Sequence, residues 1–302
     1  MPNAKPYRVL MSGSSGLIGT ALVRSLESSG FEVTRLVRGK PSASKQIAWD
    51  PKRALDPNLV SGFESVIHLS GESIIGRWTA AKKQKIVESR VLATRNFSEA
   101  LAKAPQRPRV MISGSAIGFY GNRGDELLRE ESSSGTGFLP EVCREWEGAT
   151  QAASAAGIRV AHIRTGIVLS REGGALQKML LPFRLGVGGK IGSGRQWMSW
   201  ISMDDMVGAV QHILKDESSQ GPINMVAPNP VTNAEFTKSL ASVLSCPAVF
   251  TVPAFAVQLA FGEMGEETLL GSQRVEPAQL VARGYVFQQP DLRRALDSIL
   301  KR

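Results

Sequence analysis

The stretch RVLMSGSSGLIGTALVRSLESSG, residues 8–30, constrains the fold more than any other. An apolar, β-prone run ends at Gly13, and Gly16 and Gly19 follow at steps of three. Ile18, Leu22 and Leu26 then recur at helical spacing, and Gly30 stands as a C-terminal stop. Glycine is demanded here for physical reasons. The turn is tight, the backbone must let a pyrophosphate approach, and the helix must lie close to the sheet. The start of that helix offers unsatisfied N–H groups and a partial positive charge to an anion. Glycine spacing alone is weak evidence; a strand before it and a helix after it give it meaning. Gly13, Gly16, Leu17, Ile18 and Gly19 are therefore expected to line a dinucleotide site.

Further along, EVTRLV (32–37), QIAW (46–49), SVIHLSG (65–71), RVMISGS (109–115) and RVAHIRTGIVL (159–169) read as strands. One long helical pattern runs from Thr79 to Lys103 and another from Leu139 to Ala156. Near-continuous apolar strands alternating with helices indicate a parallel sheet covered on both faces. The expected class is α/β, a Rossmann-like doubly wound parallel sheet with a smaller C-terminal substrate lobe. The sheet domain is expected over residues 1–170 and completed by about 197–228, with 171–196 and 229–302 forming the smaller lobe. In that lobe GVGGKIGSGRQ (186–196) reads as loop, and TNAEFTKSLASVL (232–244) as a helix with a capping box from Thr232 to Glu235.

Composition narrows the partners. No run of eighteen apolar residues occurs, so no span and no membrane partner are expected. The start, MPNAKPYRVLMSG, has no apolar signal region, and Cys143 and Cys246 lie far apart, which suits a reducing cytoplasm. The net charge of +9 raises nucleic acid as a partner. The basic residues are scattered, however, and the denser groups, Arg35–Lys45 and Lys82–Lys85, are short and mixed. A solvated basic surface that attracts small anions is the expectation, with no nucleic-acid partner. His68, His162 and His212 sit on separate elements without ligand spacing, so no metal site is expected.

The end of the second strand chooses the cofactor. An acid there would hold a ribose 2′-hydroxyl and select NAD. This strand ends in Val37-Arg38-Gly39-Lys40, with no acid, and Arg35 and Lys40 add positive field around Arg38. A charge-assisted hydrogen bond to a 2′-phosphate is worth about 1.5–3 kcal/mol, roughly ten- to a hundredfold in affinity. NADP(H) is the expected cofactor, with a surface arginine as the alternative reading of Arg38.

Six pieces, GLIGTAL, LSGESI, REWE, LLPFRLGVGGKIGSG, VAPNPVTNAEF and GYVFQQPDL, resemble the extended short-chain dehydrogenase/reductase superfamily and, within it, the epimerase-family group. The likeness covers nearly the whole chain. It implies that Leu69 and Ser70 lie beside the cofactor and that Val168 lies near the nicotinamide. It also implies that Arg90, on the long helix, reaches the cofactor; a solvated helix charge is the alternative. Ser115, in MISGSAIGFYG, matches the serine that orients substrate.

The superfamily's proton-passing tyrosine and its lysine would fall at Leu139 and Cys143. An aliphatic group donates no proton, and a thiol is no fixed cation. That helix face is expected to wall the pocket, with Cys143 a buried inert thiol. Tyr120 is the remaining candidate acid, against a packing tyrosine in a turn. An ordinary tyrosine, with a pKa of about 10, donates a proton but rarely takes one at neutral pH. Relatives that bind nucleotide sugars grip the diphosphate with an arginine where this chain has Met198. Trp197, Met198 and Trp200 suggest a more apolar pocket, with Arg184 and Arg195 near enough to compensate. Asp204 and Asp205 favour the N-terminal dipole of a helix.

The function expected is that of an NADP(H)-binding, reductase-like protein, an oxidoreductase or epimerase acting on a small, fairly apolar carbonyl or alcohol of unknown identity. Its rival is a non-enzymatic NADPH-binding module with a protein partner, because some relatives are associated with cell or plastid division.

Overall fold

The computed structural model describes residues 6–301. Its main sheet contains β1 (Arg8–Ser12), β2 (Glu32–Val37), β3 (Gln46–Ala48), β4 (Ser65–His68), β5 (Val110–Ala116), β6 (Arg159–Thr165) and β7 (Gly221–Met225). The order is β7-β6-β5-β4-β1-β2-β3, and every neighbouring pair is parallel. The chain builds outward from β1 to β3, then crosses back to β4 and builds the other way. That reversal opens a crevice at the carboxyl ends of β1 and β4.

Both faces of the sheet are covered, which is why its strands read as apolar without alternation. Val9, Met11, Ile67 and Ile112 pack against Leu22 and Leu26 of the Leu17–Ser28 helix and against Met206 and Val210 of the Met203–Lys215 helix. Leu10, Val66 and Met111 face Phe97 and Leu101 on the other side. A third core, with Trp200, Phe236, Leu240 and Leu296, holds the C-terminal lobe together.

Several elements depart from the expected simple runs. The long helix is Ala80–Val87, a π-helical turn at Glu88–Leu92, and Ala93–Lys103, with Thr79 capping its start. Such π turns are frequent at functional sites, and Arg90 lies in this one. The helix expected through Ala156 breaks into Phe138–Gly148 and Gln151–Ala155. At the break, the Thr150 hydroxyl bonds the Glu147 carbonyl at 2.8 Å and competes with the helix ladder.

The strand expected over 159–169 divides at Gly166, where a Cβ would lie 2.7 Å from the Ser199 carbonyl oxygen. Beyond that glycine, Ile167–Leu169 leaves the main sheet and pairs with Trp200–Ser202. The glycine-rich 186–196 stretch is more than loop: Gly189–Ile191 pairs in parallel with Phe250–Val252. The capping box at Thr232 and Glu235 forms as expected. Asp205 does more than sit on a dipole. Its carboxylate accepts from Ser202 Oγ (2.8 Å), Gln288 N (2.7 Å) and Gln289 N (2.9 Å), so it ties the C-terminal segment to the sheet domain.

Candidate functional site

The glycine loop divides into two kinds of glycine. Gly13 has φ +71°, and a Cβ there would sit 2.6 Å from the Leu69 carbonyl carbon and 2.7 Å from Ser70 N. Gly19 would place a Cβ 2.1 Å from the Gly13 oxygen. Both must be glycine for the turn to close on the end of β4. Gly16 differs: its backbone is extended (φ −75°, ψ 171°) and the only atom near a built Cβ is the Gly13 oxygen, at 3.4 Å. Nothing inside the protein excludes a side chain at Gly16. It caps the Leu17–Ser28 helix without a side-chain hydrogen bond, and no acid stands in the first turn. The N–H groups at the helix start therefore point to an open anion receptor.

The other expected residues gather around this loop. Ile18, Leu69 and Val168 all pack on the same core cluster. Built Cβ atoms at Gly173 and Gly174 would meet the Leu17 side chain at 3.1 and 3.2 Å, so the segment after Val168 closes over the loop. Ser70 Oγ lies 3.4 Å from Ser12 Oγ. Behind it a buried chain runs from Ser12 to His68 Nδ1 (2.7 Å), from His68 Nε2 to Thr94 (2.9 Å) and from Trp146 Nε1 to Thr94 (2.9 Å). Burial lowers the His68 pKa to about 3, so the imidazole is neutral and structural.

Arg38 is exposed just past β2. Arg35, expected to add field there, is paired with Glu27 at 3.0 Å. In its place two cations appear that sequence reasoning did not assign. Glu72, after β4, is held below the usual carboxylate range by its bond to Lys82 (2.7 Å), with Lys85 and Arg38 adding to the effect. Arg38, Lys82 and Lys85 thus share one positive corner.

Arg90 points inward. Its Nη1 donates to the Glu72 carbonyl at 2.9 Å, and its guanidinium stacks on Trp146 at 5.1 Å and abuts Gly71, 3.3 Å from a built Cβ. The solvated-charge reading does not describe this half-buried group.

Leu139 and Cys143 both face the end of β5 and the turn that follows it. Leu139 covers Gly118, 3.3 Å from a built Cβ, and flanks an apolar cluster with Trp78, Val142 and Met264. Cys143 is buried against the Ala116 carbonyl oxygen (3.8 Å), and burial, reinforced by Glu147, pushes its pKa up to about 12. The thiol is therefore neutral and no nucleophile. The start of the helix is capped from the C-terminal lobe: Glu267 accepts from Phe138 N (2.8 Å) and Leu139 N (2.9 Å).

Tyr120 and Ser115 belong to a buried network, and this corrects the assignment of Tyr120 as an acid at the crevice. Tyr120 is fully buried, donates to Asn224 Oδ1 at 2.7 Å and accepts from Arg164 at 3.0 Å. Burial pushes its pKa up to about 12. Arg164 grips Glu147 through two bonds (2.8 and 2.9 Å), and Ser115 Oγ donates to the same carboxylate at 2.7 Å. With its hydrogen committed, Ser115 can only accept from a ligand. A second correction concerns the expected apolar pocket. Trp200 is fully buried in the C-terminal core, and Met198 is buried beside it with its sulfur taking a 3.4 Å contact from Asn233. Trp197 reaches out to Asp125 at 2.8 Å. Arg184 and Arg195 are exposed. Among the described residues no cluster of ligands could hold a metal ion, and no helix is long and apolar enough to cross a membrane.

The doubly wound sheet, the glycine loop at its switch point and the helix after β5 define a Rossmann protein of the short-chain dehydrogenase/reductase type. The NAD dependent epimerase/dehydratase family matches residues 9–226, and a domain of unknown function, DUF1731, matches residues 252–299. The chain belongs to the NAD dependent epimerase/dehydratase family. An epimerase family protein of Mycobacterium bovis is 41% identical over 290 residues, 95% of this chain and 96% of that protein. Human epimerase family protein SDR39U1 is 36% identical over 297 residues, 97% of this chain and 99% of its own length. The crystal structure of its isoform 2 with NADPH superposes with a TM-score of 0.90 at 35% identity, covering 97% of this chain and 99% of that one.

Proposed function

We propose that this chain binds NADP(H) along the carboxyl ends of β2, β1 and β4, with the pyrophosphate on the Leu17–Ser28 helix. The observation that carries the reading is Gly16, a glycine with room for a side chain and none of the internal contacts that would forbid one. The human relative crystallised with NADPH supports it. Leu17, Ile18 and Gly19 supply backbone N–H groups, and Arg38, backed by Lys82 and Lys85, receives the 2′-phosphate. Leu69, Ser70 and Val168 line the crevice, and Arg90 reaches into it from the long helix.

Bound there, the nicotinamide exchanges a hydride with a carbonyl or alcohol. The residues around the nicotinamide end offer orientation rather than proton transfer. Leu139 and its apolar neighbours favour a small, fairly apolar substrate. Ser115 accepts a hydrogen bond, and Arg90 places positive charge beside the neutral Cys143. The hydrogens of Tyr120 and Ser115 are held in internal bonds and the buried Cys143 thiol is too weak an acid, so the proton comes from water. The same observation favours a second reading, a non-enzymatic NADPH-binding module with a protein partner. Stopped-flow oxidation of bound NADPH against a carbonyl library separates the two. Turnover establishes the enzyme, tight binding without turnover establishes the module, and no binding overturns both.

A further inference from the structure

We propose that the outer face of the C-terminal lobe docks onto an anionic phospholipid bilayer. The helix Ala254–Phe261 reads AFAVQLAF, apolar on every side except Gln258, yet Val257 is its only buried residue. A helix apolar all round is expected inside a protein or against another phase. Phe255 and Leu259, four apart and so on one side, are 69% and 74% exposed. The strand before this helix, Phe250–Val252, and the residue leading into it continue the patch, with Val249 at 80% and Phe250 at 54% exposure. It pairs with Gly189–Ile191, and the chain leading into that strand carries Leu185 and Val187, also exposed. A Cβ at Gly186 would lie 3.7 Å from Pro247, and one at Gly192 would lie 3.8 Å from Ala254, so these segments form one surface. Contiguous exposed apolar area of this kind marks an interaction site.

Charge identifies the occupant. No Asp or Glu occurs between Glu172 and Asp204, or between Glu235 and Glu263. Those two segments carry Lys178, Arg184, Lys190, Arg195 and Lys238. Glu263, just past the helix, is paired with Lys83 at 2.6 Å. Lys190 and Lys238 border a groove of about 290 Å³ lined in part by Val249 and Phe250. The two segments that form the patch carry cations and no acids, and the exposed acids nearest to it, Glu235 and Glu266, lie outside them, so a second copy would meet like charge across the patch. Specific protein interfaces are depleted of lysine, whereas Lys190 and Lys238 stand directly beside the exposed Val249 and Phe250. Protruding phenylalanine and leucine among lysines and arginines suit the headgroup boundary of an anionic leaflet. The expectation of no membrane partner rested on the lack of a span; adsorption to a surface needs none.

The test is vesicle co-sedimentation of the full chain at about 0.15 M salt. The probes are phosphatidylcholine vesicles and vesicles carrying about one-third phosphatidylglycerol. The protein should sediment with the anionic vesicles and not with the neutral ones. Phe255→Ser with Leu259→Ser, which leaves the net charge unchanged, should weaken binding at least tenfold. Lys190→Glu with Lys238→Glu should do the same, while Lys103→Glu, outside the patch, should not. Melting curves confirm that each variant is folded. No binding to anionic vesicles overturns the proposal. So does full binding by the serine double variant, since adsorption would then be general positive charge. A dimer that the serine variant dissolves would give the face to a second copy instead.

Discussion

Replacing Gly16 by alanine separates folding from cofactor binding at one atom. The backbone there has φ −75° and ψ 171°, which any residue adopts, and the added carbon meets only the Gly13 oxygen at 3.4 Å. The added methyl group should cost the fold no more than about 0.5 kcal/mol, and the smaller entropy of the unfolded chain, about 0.4–1 kcal/mol, should offset that cost in full. Binding should suffer much more, because the methyl group stands where phosphate oxygens must approach the helix N–H groups. Losing one charge-assisted hydrogen bond costs about 1.5–3 kcal/mol, roughly ten- to a hundredfold in affinity.

Gly19→Ala is the contrast. Its Cβ would lie 2.1 Å from the Gly13 oxygen, so the loop must move, at a typical overpacking cost of about 1–3 kcal/mol. Urea midpoints at constant m-value measure the first quantity, and NADPH fluorescence titration measures the second. A Gly16→Ala protein that is stable and binds NADPH within about twofold of wild type would refute the placement of the pyrophosphate.

Three further outcomes follow from the same geometry. Cys143→Ala should leave NADPH affinity and any turnover within about threefold; a hundredfold loss of turnover with binding intact would make the thiol chemical. Glu147→Gln should destabilise the fold by about 3–5 kcal/mol, because Arg164, only 4% exposed, loses its carboxylate; a shift in the urea midpoint worth under about 1 kcal/mol would contradict this. His68 is neutral when folded, with its pKa lowered to about 3. Above the ordinary value of about 6.5 its contribution is intact, and below it the unfolded chain takes up a proton the folded chain refuses. Stability should therefore fall by about 1.5 kcal/mol between pH 6.5 and 5 from this group. His68→Asn should remove that share of the slope, and an unchanged slope in pH-dependent urea titrations would count against it.

How much the sequence disclosed depended on whether a residue's environment is local. The glycine loop was legible because strand, turn and helix succeed one another within residues 8–30. The sheet strands were legible because burial on both faces leaves them continuously apolar. Gly166, the π turn at Arg90 and the Thr150 break were not, since each answers to a neighbour distant in sequence or to a single hydroxyl. The Arg164–Glu147 pair had a signal that went unused. An arginine inside an apolar strand must find a partner, and Glu147 lies four residues beyond Cys143, on the same helix face. Trp200 misled for the opposite reason: an aromatic after a glycine-rich loop reads as a pocket, yet it fills the second lobe's core. Lys82 and Lys85 read as surface charge until the chain after β4 brought Glu72 to them.

Calorimetric titration of the wild-type chain with NADPH and with NADH tests the central claim most directly. NADPH should bind at least about tenfold more tightly, a difference of about 1.4 kcal/mol, and Arg38→Ala should erase most of that preference. Equal affinities for the two cofactors, or a preference that survives Arg38→Ala, would contradict the account.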